Sequence, residues 1–129
     1  MNTDERRSEL DKLSEEIIGL CYVVSNQLGC GFLEKVYENA WALELRLRGY
    51  RVIQQAPMQV WYRGQVVGEY LADLVVNESI IIELKCVKAF DDIMIAQCMN
   101  YLRGTGLSVC LLINFAKPRV ELKRIVDNF

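Results

Sequence analysis

The sequence contains no histidine. That excludes Ser-His-Asp and Cys-His nucleophile systems, histidine-based zinc catalysis and a histidine general base. It also lacks any paired CxxC. Its five cysteines, Cys21, Cys30, Cys86, Cys98 and Cys110, are odd in number and scattered. An iron–sulfur or zinc centre needs clustered ligands, so these thiols read as free cysteines buried in apolar surroundings, as in a reducing compartment. No run reaches the roughly 18 apolar residues of a membrane span, and no hydrophobic core follows the polar start Met1-Asn-Thr-Asp-Glu-Arg-Arg7 as in a signal peptide. The expectation is a cytoplasmic protein with no membrane partner. An excess of positive charge is missing too: net charge is −2 and the sequence pI about 5.2. Tight non-specific binding of nucleic acid by a lone monomer is therefore disfavoured. Two local basic clusters, Arg46/Arg48/Arg51 and Lys117/Arg119/Lys123/Arg124, read as solvated faces.

What is present suits one globular domain over residues 1–129, with 52% hydrophobic and 25% charged residues. Apolar residues Leu10, Leu13, Ile17, Leu20, Cys21, Val24 and Leu28 recur at spacings of three and four, which predicts an amphipathic helix over about 9–28. Gly29-Cys30-Gly31 breaks it. A second helix is expected over about 33–48, with Val36, Tyr37, Ala40, Leu43 and Leu47 facing inward, stopped by Gly49. Residues 51–62 read as a strand, and Pro57 within it argues for an edge or an irregularity. Strands at 65–76 and 79–87, a helix at 90–103, a strongly apolar strand at 107–115 and a last strand at 120–125 follow. The element order is ααβββαββ, an α/β domain with a mixed sheet flanked by helices.

The stretch from Asp73 to Lys85 places Asp73, Glu83 and Lys85 in two otherwise apolar strands. Burying charge is costly unless it is paired or binds a metal. With Asn77-Glu78-Ser79 as a three-residue loop, Val76 faces Ile80, Leu74 faces Ile82 and Ala72 faces Leu84, giving one wholly apolar face. The other face brings Asp73 opposite Glu83, with Lys85 two residues further on. A two-residue turn would split the charges between faces. Like charges opposite one another destabilise a sheet and raise each other's pKa. A divalent cation bound by both carboxylates resolves the conflict. An Asp–Lys–Glu ion-pair cluster at a sheet edge is the alternative.

Asp73 followed by Glu83-Leu84-Lys85 on the next strand resembles the PD-(D/E)XK nuclease superfamily, with Ala72 where the name has proline. Gln97-Cys-Met-Asn-Tyr101 matches the Q-x-x-x-Y of its RecB-like branch. Gly31-Phe-Leu-Glu34-Lys-Val-Tyr37 matches the G-x-x-E-x-x-Y signature of a family of small proteins in the same superfamily. The resemblance spans about residues 13–125. It implies a restriction-endonuclease-like core and Mg²⁺- or Mn²⁺-dependent hydrolysis of phosphodiesters, in DNA or RNA. The implied metal ligands are Glu34, Asp73, Glu83 and the Leu84 carbonyl. The implied catalytic residues are Asp73, Glu83, Lys85 and Gln97. Tyr101 and Tyr37 are implied to position substrate, Tyr37 as a packing residue whose hydroxyl orients Glu34 or a phosphate. Gln97 and Tyr101 share a helix face with Phe90 and Met94 and are expected to hydrogen-bond into the site; an interhelical or helix–sheet hydrogen bond with no chemistry is the alternative. For Glu34, an exposed first-turn glutamate favouring the helix dipole is the alternative. Gly31 is expected to give the backbone freedom before the helix. A homodimer is expected, because one such domain offers little surface to hold a duplex. The competing functions are a catalytically silent interaction subunit of a larger nucleic-acid-processing complex, and hydrolysis of another phosphate ester at the same metal site.

Overall fold

A computed structural model describes residues 2–129. The chain runs α1 (Thr3–Leu28), α2 (Glu34–Leu47), β1 (Val52–Tyr62), β2 (Gln65–Val76), β3 (Ile80–Lys85), α3 (Asp92–Thr105), β4 (Val109–Asn114) and β5 (Glu121–Val126). This is the expected ααβββαββ order. The five strands lie side by side in sequence order, antiparallel except between β3 and β4. Parallel neighbours need a crossover, and α3 provides it. Packed from both faces, β3 opens on the apolar run Ile80–Ile82 and β4 is apolar from Val109 to Ile113, rather than alternating.

One core layer joins α1 and α2 to Leu74, Val76, Ile80, Ile82, Leu84, Leu111 and Ile113. The other joins Cys98 and Leu102 of α3 to Val75, Ile81, Cys110, Leu112 and Ile125. Helix α1 starts earlier than its apolar spacing indicates. The Asn2 side chain caps it by accepting the Glu5 N–H at 2.8 Å, and Asp4 and Glu5 sit at the positive end of the helix dipole. Its buried stripe, Ile17, Leu20, Cys21 and Val24, is the expected one.

Helix α2 turns a partly different face inward: Tyr37 and Ala40 meet the core as expected, but Val36, Leu43 and Leu47 do not. Tyr37, Glu38, Trp41, Ala42 and Leu45 are buried, while Leu43 and Leu47 are 57% and 71% exposed. The aromatics decide this. Trp41 Nε1 donates to the Ile17 carbonyl of α1 at 3.1 Å, and Tyr37 stacks on Phe115 with ring centroids 4.5 Å apart. Large rings that fill the core and satisfy their polar atoms outweigh two leucines. The cysteines also divide: Cys21, Cys98 and Cys110 are buried, Cys86 is partly so, and Cys30 is exposed in the loop before α2, contrary to the expectation that all are buried.

The β2–β3 connection has the expected register, pairing Val76 with Ile80, Val75 with Ile81 and Leu74 with Ile82. Asn77 and Glu78 adopt left-handed φ of 51° and 55° to make the loop. The ladder then stops. Ala72 does not continue the apolar face of Leu74, as expected, but packs with Ala56 in the α3 layer. The alternation is broken opposite, where Gln55 of β1 takes a φ of 50°, and pairing resumes between Ala56 and Ala72. Strand β1 is an edge strand that tolerates Pro57, as its sequence indicates. No helix among the described residues is long and apolar enough to cross a membrane.

Candidate metal centre at the β2–β3 divergence

Where β2 and β3 part, side chains replace the backbone ladder. Asp73 Oδ2 accepts the Leu84 N–H at 2.8 Å. In an extended strand the N–H and C=O of one residue point to the same side, so the Leu84 carbonyl turns toward the same opening. Glu83 lies beside Asp73. It is only 8% exposed, and its Oε1 is buried with no hydrogen-bond partner. Burial pushes its carboxyl up to about 9, and the neighbouring Asp73 carboxylate adds to the rise, outweighing the opposing charge of Lys85. Without a counter-ion the two groups do not both ionise, and Glu83 keeps its proton beside Asp73.

The ion-pair alternative fails on two counts. Strands β2 and β3 are interior to the sheet, and among the described residues Lys85 forms no ion pair with either carboxylate. Lys85 is half-buried at the end of β3 and paired in register with Asn114 of β4. Wholly buried Asn114 accepts the N–H groups of Val87 and Ala116 at 3.1 and 3.0 Å, and donates to the Val87 carbonyl at 2.7 Å and Glu121 Oε1 at 3.0 Å. It fixes the chain just beyond Lys85. The only sequence signal for it is a polar residue closing an apolar strand.

On the α2 side, a cleft of about 380 Å³ is lined by Glu34, Lys35, Glu38, Gln55, Asp73 and Leu84. Gly31 reaches this helix with a φ of 109°, which supplies the expected backbone freedom. Glu34, in the first turn of α2, accepts the Cys86 N–H at Oε1 (3.1 Å) and so ties α2 to the segment leaving β3. Glu38 is one turn on, 4% exposed and fully engaged. Its Oε2 accepts from Lys35 Nζ (2.9 Å) and Gln54 Nε2 (2.7 Å), and its Oε1 from Gln55 Nε2 (2.8 Å). Gln55 Nε2 also donates to Asp73 Oδ1 at 3.3 Å. Neither Glu38 nor Gln55 was singled out by sequence; Glu38 is four residues from Glu34 and so shares its helix face.

Tyr37 packs in the core as expected, but its hydroxyl has other partners than the expected ones. Its ring is wholly buried; its hydroxyl donates to the Gly29 carbonyl at 2.6 Å and accepts the Phe32 N–H at 3.2 Å. Both partners lie in the loop before α2, so Tyr37 anchors that loop instead of orienting Glu34 or a phosphate. On the α3 side, Tyr101 is half-buried and stacks on Tyr70 at 3.6 Å between centroids. Burial raises its hydroxyl, with the Glu83 charge next in effect. Gln97 sits one turn earlier and is exposed, where an inward-facing side chain was expected. Phe90 and Met94 do pack against the α3-side core.

A divalent cation suits this donor set. An orphaned buried carboxylate oxygen, a second carboxylate beside it and a backbone carbonyl facing the same opening are hard oxygen donors. Mg²⁺ is commonly held by one or two carboxylates, with waters filling its other positions. Among the described residues no three Asp, Glu, Cys or His side chains converge into a complete ion cage.

Two solved structures share this fold. An alkaline exonuclease (LHK-Exo) from Laribacter hongkongensis superimposes with a TM-score of 0.53 at 15% identity, covering 73% of this chain and 56% of its own. The crystal structure of SSO0001 gives a TM-score of 0.54 at 17% identity, covering 96% and 63%. The chain thus spans roughly three-fifths of the length of these neighbours. Among curated proteins none matches the sequence. The family match covers residues 11–125 and takes in the Asp73–Lys85 hairpin, both flanking helices and the whole sheet: this chain belongs to the PD-(D/E)XK nuclease superfamily.

Proposed function

We propose that the protein is a metal-dependent nuclease of the G-x-x-E-x-x-Y type, in the RecB-like branch, that hydrolyses phosphodiester bonds of DNA or RNA. The observation that carries this is the buried, unpartnered Glu83 Oε1 beside Asp73, two residues before an unpaired lysine on the same strand. Asp73, Glu83 and the Leu84 carbonyl would hold Mg²⁺, with Mn²⁺ as a substitute. Glu34 would join them by exchanging its Cys86 amide contact. When bound, the cation supplies positive charge that polarises the scissile phosphate and favours ionisation of the attacking water. Lys85 stabilises the charge that builds on the phosphate oxygens as water adds and the leaving oxygen departs. Gln97, exposed on α3, and Tyr101 orient the nucleic-acid backbone.

The test is cleavage of single- and double-stranded DNA and RNA by pure protein with Mg²⁺ or Mn²⁺. Cutting that disappears in Glu83→Gln and Lys85→Ala supports the reading. Equal cutting by the parent and both variants contradicts it. A second reading, a catalytically silent subunit of a larger nucleic-acid-processing complex, is favoured by the incomplete carboxylate cage and the acidic composition. Its mark is recovery of such a partner with no cleavage by the pure protein. Under either reading the remaining grip on nucleic acid comes from a second copy or a partner. Light scattering that shows only monomer at high concentration rules out the homodimer.

A further inference from the structure

We infer that Gln55 is a positioning residue that sets the orientation of Asp73 for its cation, through a relay anchored on Glu38. This rests on the metal-site reading above. Gln55 lies on β1, away from every motif of the family resemblance. Its φ of 50° is a backbone conformation that disfavours residues with a Cβ, at a cost of roughly 1 kcal/mol or more. Glycine would remove that cost, and yet the position carries a long amide.

The amide has a defined task. The Gln55 NH₂ donates to the Oε1 of buried Glu38 at 2.8 Å. Lys35 and Gln54 hold the other Glu38 oxygen, which leaves that carboxylate no freedom to turn. The second Gln55 hydrogen then falls on Asp73 Oδ1 at 3.3 Å. The Leu84 N–H holds Asp73 Oδ2 at 2.8 Å. Asp73 is thus pinned at both oxygens, by donors from the two strands that flank β2. Its remaining lone pairs are aimed by that clamp. The left-handed backbone at Gln55 and the end of the β2–β3 ladder next to Asp73 occur at the same level of the sheet, so strain and site coincide.

The test is a calorimetric Mn²⁺ titration of the parent, Gln55→Gly, Glu38→Gln and Glu83→Gln, with thermal melts of each metal-free protein. Gln55→Gly keeps the backbone and removes the amide. It is expected to stay folded, its relief of backbone strain offset by the donor lost from Glu38, while its Mn²⁺ affinity falls about tenfold or more. Glu38→Gln, which frees the Gln55 amide, weakens Mn²⁺ in the same direction. Gln55 acting only as a turn former predicts parental Mn²⁺ affinity in Gln55→Gly, and that result overturns the inference alone. Should Gln55→Gly not fold, parental affinity in Glu38→Gln overturns it equally. No Mn²⁺ binding by the parent, or binding that survives Glu83→Gln, overturns the metal reading and this inference with it.

Discussion

The Asp73 carboxylate takes the Leu84 amide at 2.8 Å where the β2–β3 ladder has already ended. That side chain does what a backbone carbonyl would do in an unbroken sheet. The two strands can therefore separate without orphaning an amide. The gap they leave is where Glu83 presents a buried oxygen with no partner. The crowded carboxyl groups and the strand divergence are one feature of the fold, and the proposed cation would answer both.

The metal-free protein should lose stability as pH rises. Glu83 has a folded value of about 9 against an ordinary 4.5, so the folded state holds a proton that the unfolded state releases. Its stabilisation is complete below about pH 4.5 and is lost as pH climbs toward 9, a change on the order of a few kcal/mol. Chelator-treated protein melted across this range should show the fall. Glu83→Gln should flatten it, and Mg²⁺ should restore stability most at the alkaline end, because the cation binds the ionised form.

Lys85→Ala should separate binding from chemistry. Among the described residues Lys85 forms no ion pair with a carboxylate, so its loss leaves Asp73 and Glu83, the proposed metal ligands, in place. Mn²⁺ affinity should change less than threefold while cleavage falls by about 10²–10³, the usual effect of losing one electrostatic stabiliser of the transition state. Single-turnover cleavage beside calorimetry would check both.

Tyr37→Phe should act on stability alone. It removes a donor from the Gly29 carbonyl and an acceptor from the Phe32 N–H while leaving the stack on Phe115. A loss of about 1–2 kcal/mol in chemical denaturation is expected, with Mn²⁺ affinity unchanged.

Asn114→Leu should be more damaging than its conservative volume suggests. It strips partners from the N–H and carbonyl of Val87, just after Lys85, and from the N–H of Ala116, just after β4. About 2–4 kcal/mol should be lost, and amide exchange at Val87 and Ala116 should rise.

Much of this architecture is legible in the sequence because periodicity and loop chemistry act locally. The three-residue loop gave the right register for β2 and β3, since only that choice buries Val76, Leu74, Ile80 and Ile82 together. The α2 stripe was misread because apolar spacing does not weigh an aromatic's hydrogen bond, and Trp41 finds its acceptor on another helix. Ala72 was misplaced for a similar reason: the break in alternation comes from Gln55 on a neighbouring strand. Asp73 and Glu83 could be paired from their own hairpin. Glu38, Gln55 and Asn114 could not, because their meaning lies in partners 16, 18 and 27 residues away.

The central claim is that Asp73 and Glu83 share a divalent cation. Crystals soaked in Mn²⁺ and measured for anomalous scattering test it most directly. The account predicts a peak between the Asp73 and Glu83 carboxylates, within coordination distance of the Leu84 carbonyl, that disappears in Glu83→Gln. Well-ordered carboxylates with no peak between them at saturating Mn²⁺ would contradict it.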